Sequence, residues 1–128
     1  MIIGRKEIGI DKPTYFIADI ASNHDGSYSH AERLIYLAAE AGADAVKFQN
    51  FKADTIVSDY GFKQLGSMGH QRDWQESVYD TYRRYETPIS WTVDLKRVAD
   101  TAGIDYLTTP YDVEFLDALV PYVAAWKV

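Results

Sequence analysis

The sequence predicts a single α/β domain built on a parallel sheet. Short apolar segments with the two-residue alternation of strands take turns along the chain with longer segments of helical spacing. Two helix-to-strand passages share one frame, Ala41-Gly42-Ala43-Asp44 and Ala102-Gly103-Ile104-Asp105. No linker-like change of composition divides the 128 residues. Strands that alternate with helices read as parallel, joined by right-handed crossovers. A complete (β/α)8 barrel takes about 250 residues, so this chain is too short to be one.

Short apolar pieces around Gly4-Arg5-Lys6 suggest a small β-hairpin in the first ten residues. The first stronger strand is Tyr15 to Ile20, with Phe16, Ala18 and Ile20 on one face and Tyr15, Ile17 and Asp19 on the other. Asp19 is the odd member of a face that looks buried. Ser29 and Glu32 form an S-x-x-E capping box for a helix from His30 to Ala41, with Gly42 as its C′ residue. A short strand, Ala45 to Gln49, follows; Val46 and Phe48 share one face, and Ala45, Lys47 and Gln49 share the other.

Between Asn50 and Arg72 no period is evident, and Gly61, Gly66 and Gly69 interrupt the segment, so a long functional loop or lid is expected. Asp73 and Glu76 suggest the start of a helix through Tyr79, Tyr82 and Tyr85, stopped by Pro88; its tyrosines read as packing residues. A further helix runs from Trp91 to Ala102, with Leu95, Val98, Ala99 and Ala102 as its apolar stripe and Gly103 at its end. The next strand is Asp105 to Thr109. Asp112 is suited to cap a short helix containing Phe115, Leu116 and Leu119, and Val123 to Val128 reads as a last strand.

Composition excludes several classes. Apolar residues make up 47% and charged residues 25%, which suits a globular core and argues against disorder. There is no cysteine, so disulfides play no part. A net charge of −6, with Arg83-Arg84 the longest basic run, offers no phosphate-neutralising surface for nucleic acid. No stretch reaches the roughly 18 apolar residues of a membrane span, and the opening MIIGRKEIGIDKP lacks the apolar run of a signal peptide. A cytoplasmic protein with no membrane partner is expected.

In parallel α/β folds ligands sit beyond the carboxyl ends of the strands. Here those ends carry Asp19 followed by Asn23 and His24, then Lys47 and Gln49, then Thr108-Thr109-Pro110, and finally Lys127. Two lysines and a hydroxyl directed at one centre suit a phosphate or carboxylate. The plainer alternative is that each lysine pairs with a neighbouring carboxylate, and Asp19 is equally suited to proton transfer or to pairing with Lys47. His24 is open to acid/base or metal-ligand roles, but His30 and His70 stand at no ligand spacing from it, which favours a loop-bracing role. Asp112 reads as a helix cap before any catalytic role. Nucleotide-loop and hydrolase-elbow motifs are absent.

The run Phe16-Ile17-Ala18-Asp19-Ile20-Ala21-Ser22-Asn23-His24-Asp25-Gly26, followed one helix later by Ala41-Gly42-Ala43-Asp44-Ala45-Val46-Lys47-Phe48-Gln49, closely resembles the opening of the sialic acid synthases. Thr108-Thr109-Pro110-Tyr111-Asp112 resembles that family's S-T-P-F-D, and Trp126-Lys127-Val128 the start of its Y-K-I-x-S. The resemblance implies the N-terminal half, about four βα units, of a (β/α)8 TIM barrel preceded by a hairpin. It implies condensation of phosphoenolpyruvate with an N-acylated amino sugar in its aldehyde form. Lys47, Thr109 and Lys127 would hold the phosphate and carboxylate, Gln49 would contact the sugar, and Asp19 falls where the family usually has Glu near the reacting centre.

The resemblance also implies a divalent metal ion (Mn or Mg), whose family ligands lie after the fourth strand and are not in this chain. The family's I-A-E-I-G is I-A-D-I-A here, with Ala21 in place of glycine. Four strands would leave two sheet edges and an apolar interior open, which a homodimer or a longer chain would cover. The chain alone is therefore expected to be inactive. Two other readings remain: a Schiff-base lyase or aldolase barrel using Lys47 or Lys127, and a non-catalytic truncated homologue that binds a ligand or partner.

Overall fold

A computed structural model describes residues 1–65 and 74–128. The chain opens with an antiparallel pair, β1 (Ile2–Ile3) and β2 (Lys6–Glu7). β3 (Ile17–Ala21), α1 (Tyr28–Glu40) and β4 (Ala45–Asn50) follow as a β-α-β unit. After β4 come α2 (Ala53–Ile56), α3 (Asp59–Leu65) and α4 (Val78–Arg84), then a 3-10 turn at Ile89–Trp91 and α5 (Thr92–Ala102). β5 (Asp105–Pro110), a second 3-10 turn at Val113–Phe115, α6 (Leu116–Leu119) and a third turn at Val120–Tyr122 complete the described elements. β3, β4 and β5 form a parallel sheet in that order.

Alternation along the strands sorts the sheet into two faces. Ile20, Val46, Phe48 and Tyr106 pack against Ala31, Ile35 and Ala38 of α1 and Leu95 and Ala99 of α5. The Phe48 and Tyr106 rings stack at 5.5 Å within this core. Each such large side chain contributes about 1.5–3 kcal/mol on burial. Asp19, Lys47, Gln49, Leu107 and Thr109 alternate onto the opposite face.

The repeated A-G-x-D frame has a physical explanation. Gly42 and Gly103 take φ of 86° and 79°, the left-handed conformation that lets each helix turn back. The amides of Ala43 and Ile104 then donate to the carbonyls of Ala38 and Ala99, which closes a Schellman motif at each helix end. The aspartates hold the N-terminal pair. Asp44 accepts from the Phe16 amide at 2.8 Å and pairs with Lys6. Asp105 accepts from the Tyr15 hydroxyl at 2.8 Å and the Arg5 amide at 3.2 Å. Arg5 also pairs with Asp100 at 2.5 Å. β1 and β2 are thereby clamped to the amino ends of β4 and β5, which leaves the carboxyl ends for a site.

Several boundaries differ from the sequence expectation. Ser27, not Ser29, caps α1: its hydroxyl accepts from the His30 amide, while Ser29 bonds the Ser27 hydroxyl instead. The first strand begins at Ile17 rather than Tyr15, because the Tyr15 hydroxyl is drawn to Asp105 and the Phe16 amide to Asp44. Its Ile17 and Asp19 face is exposed rather than buried. The expected structureless loop contains α2 and α3, each too short to show a period. Ser77 caps α4 by accepting from the Asp80 amide; the Asp73 start, like Gly66, Gly69 and His70, lies outside the described residues. The expected strand Val123 to Val128 is reduced to a single parallel bridge between Trp126 and Thr108. Among the described residues, no helix is long and apolar enough to cross a membrane.

Candidate functional site

The carboxyl ends of β3, β4 and β5 gather most of the residues singled out by sequence. Asp19 and Lys47 are register partners, and Asp19 Oδ1 lies 2.6 Å from Lys47 Nζ. The two ends of this pair differ: the Lys47 side chain is 6% exposed and that of Asp19 63%. Of the sequence's alternatives for these residues, the structure shows the pairing of Asp19 with Lys47. Beyond Asp19 the register shifts, and Ala21 takes φ of 52°, a left-handed conformation that non-glycine residues rarely adopt. This kink turns the chain out of the sheet toward Ser22 and Asn23.

Gln49 is the register partner of Thr109, on the same face as Lys47. Its amide donates to the Tyr111 hydroxyl at 3.4 Å. Thr109 Oγ1 is buried and has no hydrogen-bond partner among the described residues, as do Ser22 Oγ and Asp112 Oδ2. Buried polar atoms are seldom left unpaired, so the Thr109 hydroxyl, on the same sheet face as the buried Lys47 ammonium, has capacity for a further polar partner. Lys127 stands on the outer side of β5, where its amide donates to the Thr108 carbonyl at 3.1 Å; the residue is exposed. The other Asp112 oxygen accepts from the Glu114 amide at 3.0 Å, so Asp112 does cap the turn after β5.

Next to this row is an open cavity of about 680 Å³. Ser22, Asn23 and Gln49 line its floor, and Phe51, Tyr82 and Tyr85 supply aromatic walls. Gln49 therefore belongs both to the cavity and to the row with Lys47 and Thr109. Of the three tyrosines read as packing residues from sequence, Tyr82 and Tyr85 are cavity residues, although Tyr82 also packs on Phe51 at 5.8 Å, while the Tyr79 hydroxyl donates to Asp54. Their i, i+3 spacing was the available signal, but it does not reveal what the helical face meets. Arg84, another lining residue, pairs with Glu76 at 3.1 Å.

His24 is fully buried beneath this rim. Its Nδ1 accepts from the Gly26 amide at 3.1 Å, so the proton resides on Nε2, which lies 2.9 Å from Thr87 Oγ1. Burial holds its pKa below the ordinary 6.5. The Asn50 amide donates to the Thr87 carbonyl at 3.3 Å, and the Thr108 hydroxyl donates to Asn50 Oδ1 at 2.7 Å. A polar chain thus links the loop after β3, the approach to α5, and the ends of β4 and β5. Both His24 nitrogens are occupied, which fits bracing rather than metal ligation. Among the described residues, no group of three or more His, Cys, Asp or Glu side chains is placed to hold a metal ion.

The family model described as the NeuB family matches residues 34–128. The chain belongs to the NeuB family. A NeuB relative, the N,N'-diacetyllegionaminic acid synthase of Legionella pneumophila, is 33% identical over 122 residues, covering 93% of this chain and 33% of the relative. The spore coat polysaccharide biosynthesis protein SpsE of Bacillus subtilis is 35% identical over 117 residues, 91% of this chain and 30% of that protein. Among solved structures, the sialic acid synthetase of Leptospira borgpetersenii in complex with citrate superposes with a TM-score of 0.80 at 25% identity, over 100% of this chain and 40% of that one. The chain spans about a third of the length of the curated relatives it matches.

Proposed function

We propose that this NeuB-family chain is the N-terminal part of a (β/α)8 nonulosonic acid synthase, a cytoplasmic enzyme that condenses phosphoenolpyruvate with the aldehyde form of an N-acylated amino sugar. One observation carries this reading: the buried Lys47 ammonium shares a sheet face and strand-end row with the orphaned Thr109 hydroxyl, beside a cavity large enough for a second substrate. The names of the relatives, synthases of legionaminic and sialic acids, supply the product class.

In the proposed reaction Lys47, Lys127 and the Thr109 hydroxyl hold the phosphate and carboxylate of phosphoenolpyruvate. Gln49 and Asn23 face the sugar from the cavity floor, and Asp19 stands at the reacting centre. The enol carbon attacks the aldehyde carbon, water adds at the resulting cationic carbon, and phosphate departs with cleavage of its C–O bond. The lysine charges stabilise the phosphate as negative charge accumulates on it. The divalent metal implied by the family resemblance finds no ligand set among the described residues, so no step is assigned to it. In this reading the metal's ligands come from outside these 128 residues, since a second copy of the chain would bring the same residues.

Lys47 is engaged as an ammonium in an ion pair, the form that binds anions and not the free amine that forms a Schiff base. The test is titration of the isotopically labelled protein with phosphoenolpyruvate. Amide shifts concentrated at Lys47, Gln49, Thr109 and Lys127 are expected, without turnover when N-acetylmannosamine is added. Shifts elsewhere, or none, would refute the assignment of the anion site; turnover by the 128-residue chain would refute its being only part of the enzyme.

A further inference from the structure

α4 forms one wall of the cavity, yet not one of its residues is buried. A seven-residue helix without a buried face has little to hold it, since isolated helices of this length are unstable in water. Tyr82 packs on Phe51, and the Tyr79 hydroxyl donates to Asp54 of α2; the other anchor is the chain just beyond its end. Glu86 accepts from the Ala53 amide at 2.7 Å. The Thr87 carbonyl accepts from Asn50, and the Thr87 hydroxyl meets His24. Gly26, with φ of 71°, lies so close to α4 that a Cβ there would come within 3.1 Å of the Arg84 carbonyl oxygen. His24 is central to this set, because its two nitrogens join Gly26 on one side to Thr87 on the other.

We infer that His24 is a positioning residue, a neutral strut protonated on Nε2 that holds the α4 wall of the cavity, and that protonation of its Nδ1 releases the wall. The geometry fixes the direction of the effect. With Nδ1 protonated, its N–H would confront the Gly26 N–H across 3.1 Å, two donors without an acceptor between them. The ring has no freedom to turn away, being fully buried with Trp91 edge-on at 5.4 Å. The charged or titratable groups that act on it are Asp25 on its own loop, which favours the protonated form, and His30 on α1, which opposes it. Asp25 and His30 also face each other at 3.5 Å. Thr87 and Trp91, from the other packed segments, are neutral, so burial dominates.

The sign follows by linkage. A histidine whose folded value is lowered stabilises the closed wall in full above its ordinary value of 6.5. That stabilisation declines as the pH falls below 6.5 toward the lowered folded value.

The test combines imidazole nitrogen NMR with amide hydrogen exchange across this pH range. Three results are expected in the unmodified protein. His24 has the Nε2-protonated tautomer. Exchange of the α4 amides, corrected for intrinsic rate, rises about tenfold as His24 protonates, the factor for one buried hydrogen bond. Protection of α1 and α5 stays unchanged. His24→Gln, whose amide can still donate toward Thr87 but does not titrate, should retain α4 protection and abolish the pH step. His24→Leu should lose the protection at every pH. An Nδ1-protonated tautomer, α4 protection that ignores the titration or is absent at all pH values, or a pH step that survives His24→Gln would each overturn the inference. The unmodified protein alone decides the first two, so a variant that fails to fold does not remove the test.

Discussion

The Asp19–Lys47 pair makes an asymmetric prediction. Replacing Asp19 with Ala leaves an ammonium on a side chain only 6% exposed, whereas replacing Lys47 with Met leaves a carboxylate that is 63% exposed and returns to water. An unpaired buried charge costs about 3–5 kcal/mol. The loss of a pair whose surviving member is solvated costs about 0–1 kcal/mol, and Met retains most of the lysine stem's packing volume. D19A is therefore expected to be less stable than K47M by at least about 2 kcal/mol, although both remove the same ion pair. Urea unfolding at pH 7, followed by tryptophan fluorescence, measures both midpoints. Phosphoenolpyruvate binding should show the reverse order, K47M losing roughly 10- to 100-fold in affinity for want of a charge-assisted contact while D19A, if folded, binds. Equal stabilities, or a less stable K47M, would refute the claim that the buried Lys47 ammonium needs Asp19 as its partner. K47M binding as tightly as the unmodified protein would separately refute the anion role.

Ala21→Gly should stabilise the protein: a left-handed alanine costs about 1–2 kcal/mol, offset by about 0.5–1 kcal/mol for glycine's larger unfolded-state freedom. The melting temperature should rise by a few degrees in calorimetry, and a fall would show that Ala21 makes a compensating contact. Gly4→Ala should destabilise by about 2 kcal/mol or more, because a Cβ at φ of 52° would overlap the Asp105 carboxylate that clamps the N-terminal pair; an unchanged melting temperature would mean the clamp is not closed in solution. The Lys6 ammonium and the Phe16 amide hold the Asp44 carboxyl below its ordinary 3.8. Its contribution is thus present above 3.8 and is lost as the pH falls through the lowered folded value, so Lys6→Met should flatten the acid limb of the stability profile.

Much of the fold was legible because two periodicities and one repeated frame encode it. The A-G-x-D passages marked both helix ends correctly, since a Schellman turn needs its glycine at one position. What the pattern could not show was the use made of the aspartates. Whether Asp44 and Asp105 meet solvent, substrate or the N-terminal hairpin depends on contacts between residues 28 to 100 positions apart, and no local window contains them. The same limit explains α1, where two serines competed for one cap and the backbone geometry of Ser27 decided it. It also explains α2 and α3, which are too short for a period and are ordered by what they pack against.

The strand-end row was legible for a different reason: in a parallel sheet, sequence order at the carboxyl ends maps onto one rim whatever the loops do. That placed Lys47, Gln49 and Thr109 together but could not separate a lysine bound to a ligand from one bound to a carboxylate. The structure shows the carboxylate pairing, and its geometry is compatible with the anion role proposed for Lys47. A buried cation needs a partner before any substrate arrives, and Asp19 supplies it from the solvent side, where the carboxylate can shift outward at little cost in desolvation. A partner buried as deeply as Lys47 would have made the pair a structural bridge with no room for an anion. On the proposed reading, the open position of Asp19, on a face that sequence alternation marked as buried, is the feature that would keep the lysine available to an anion.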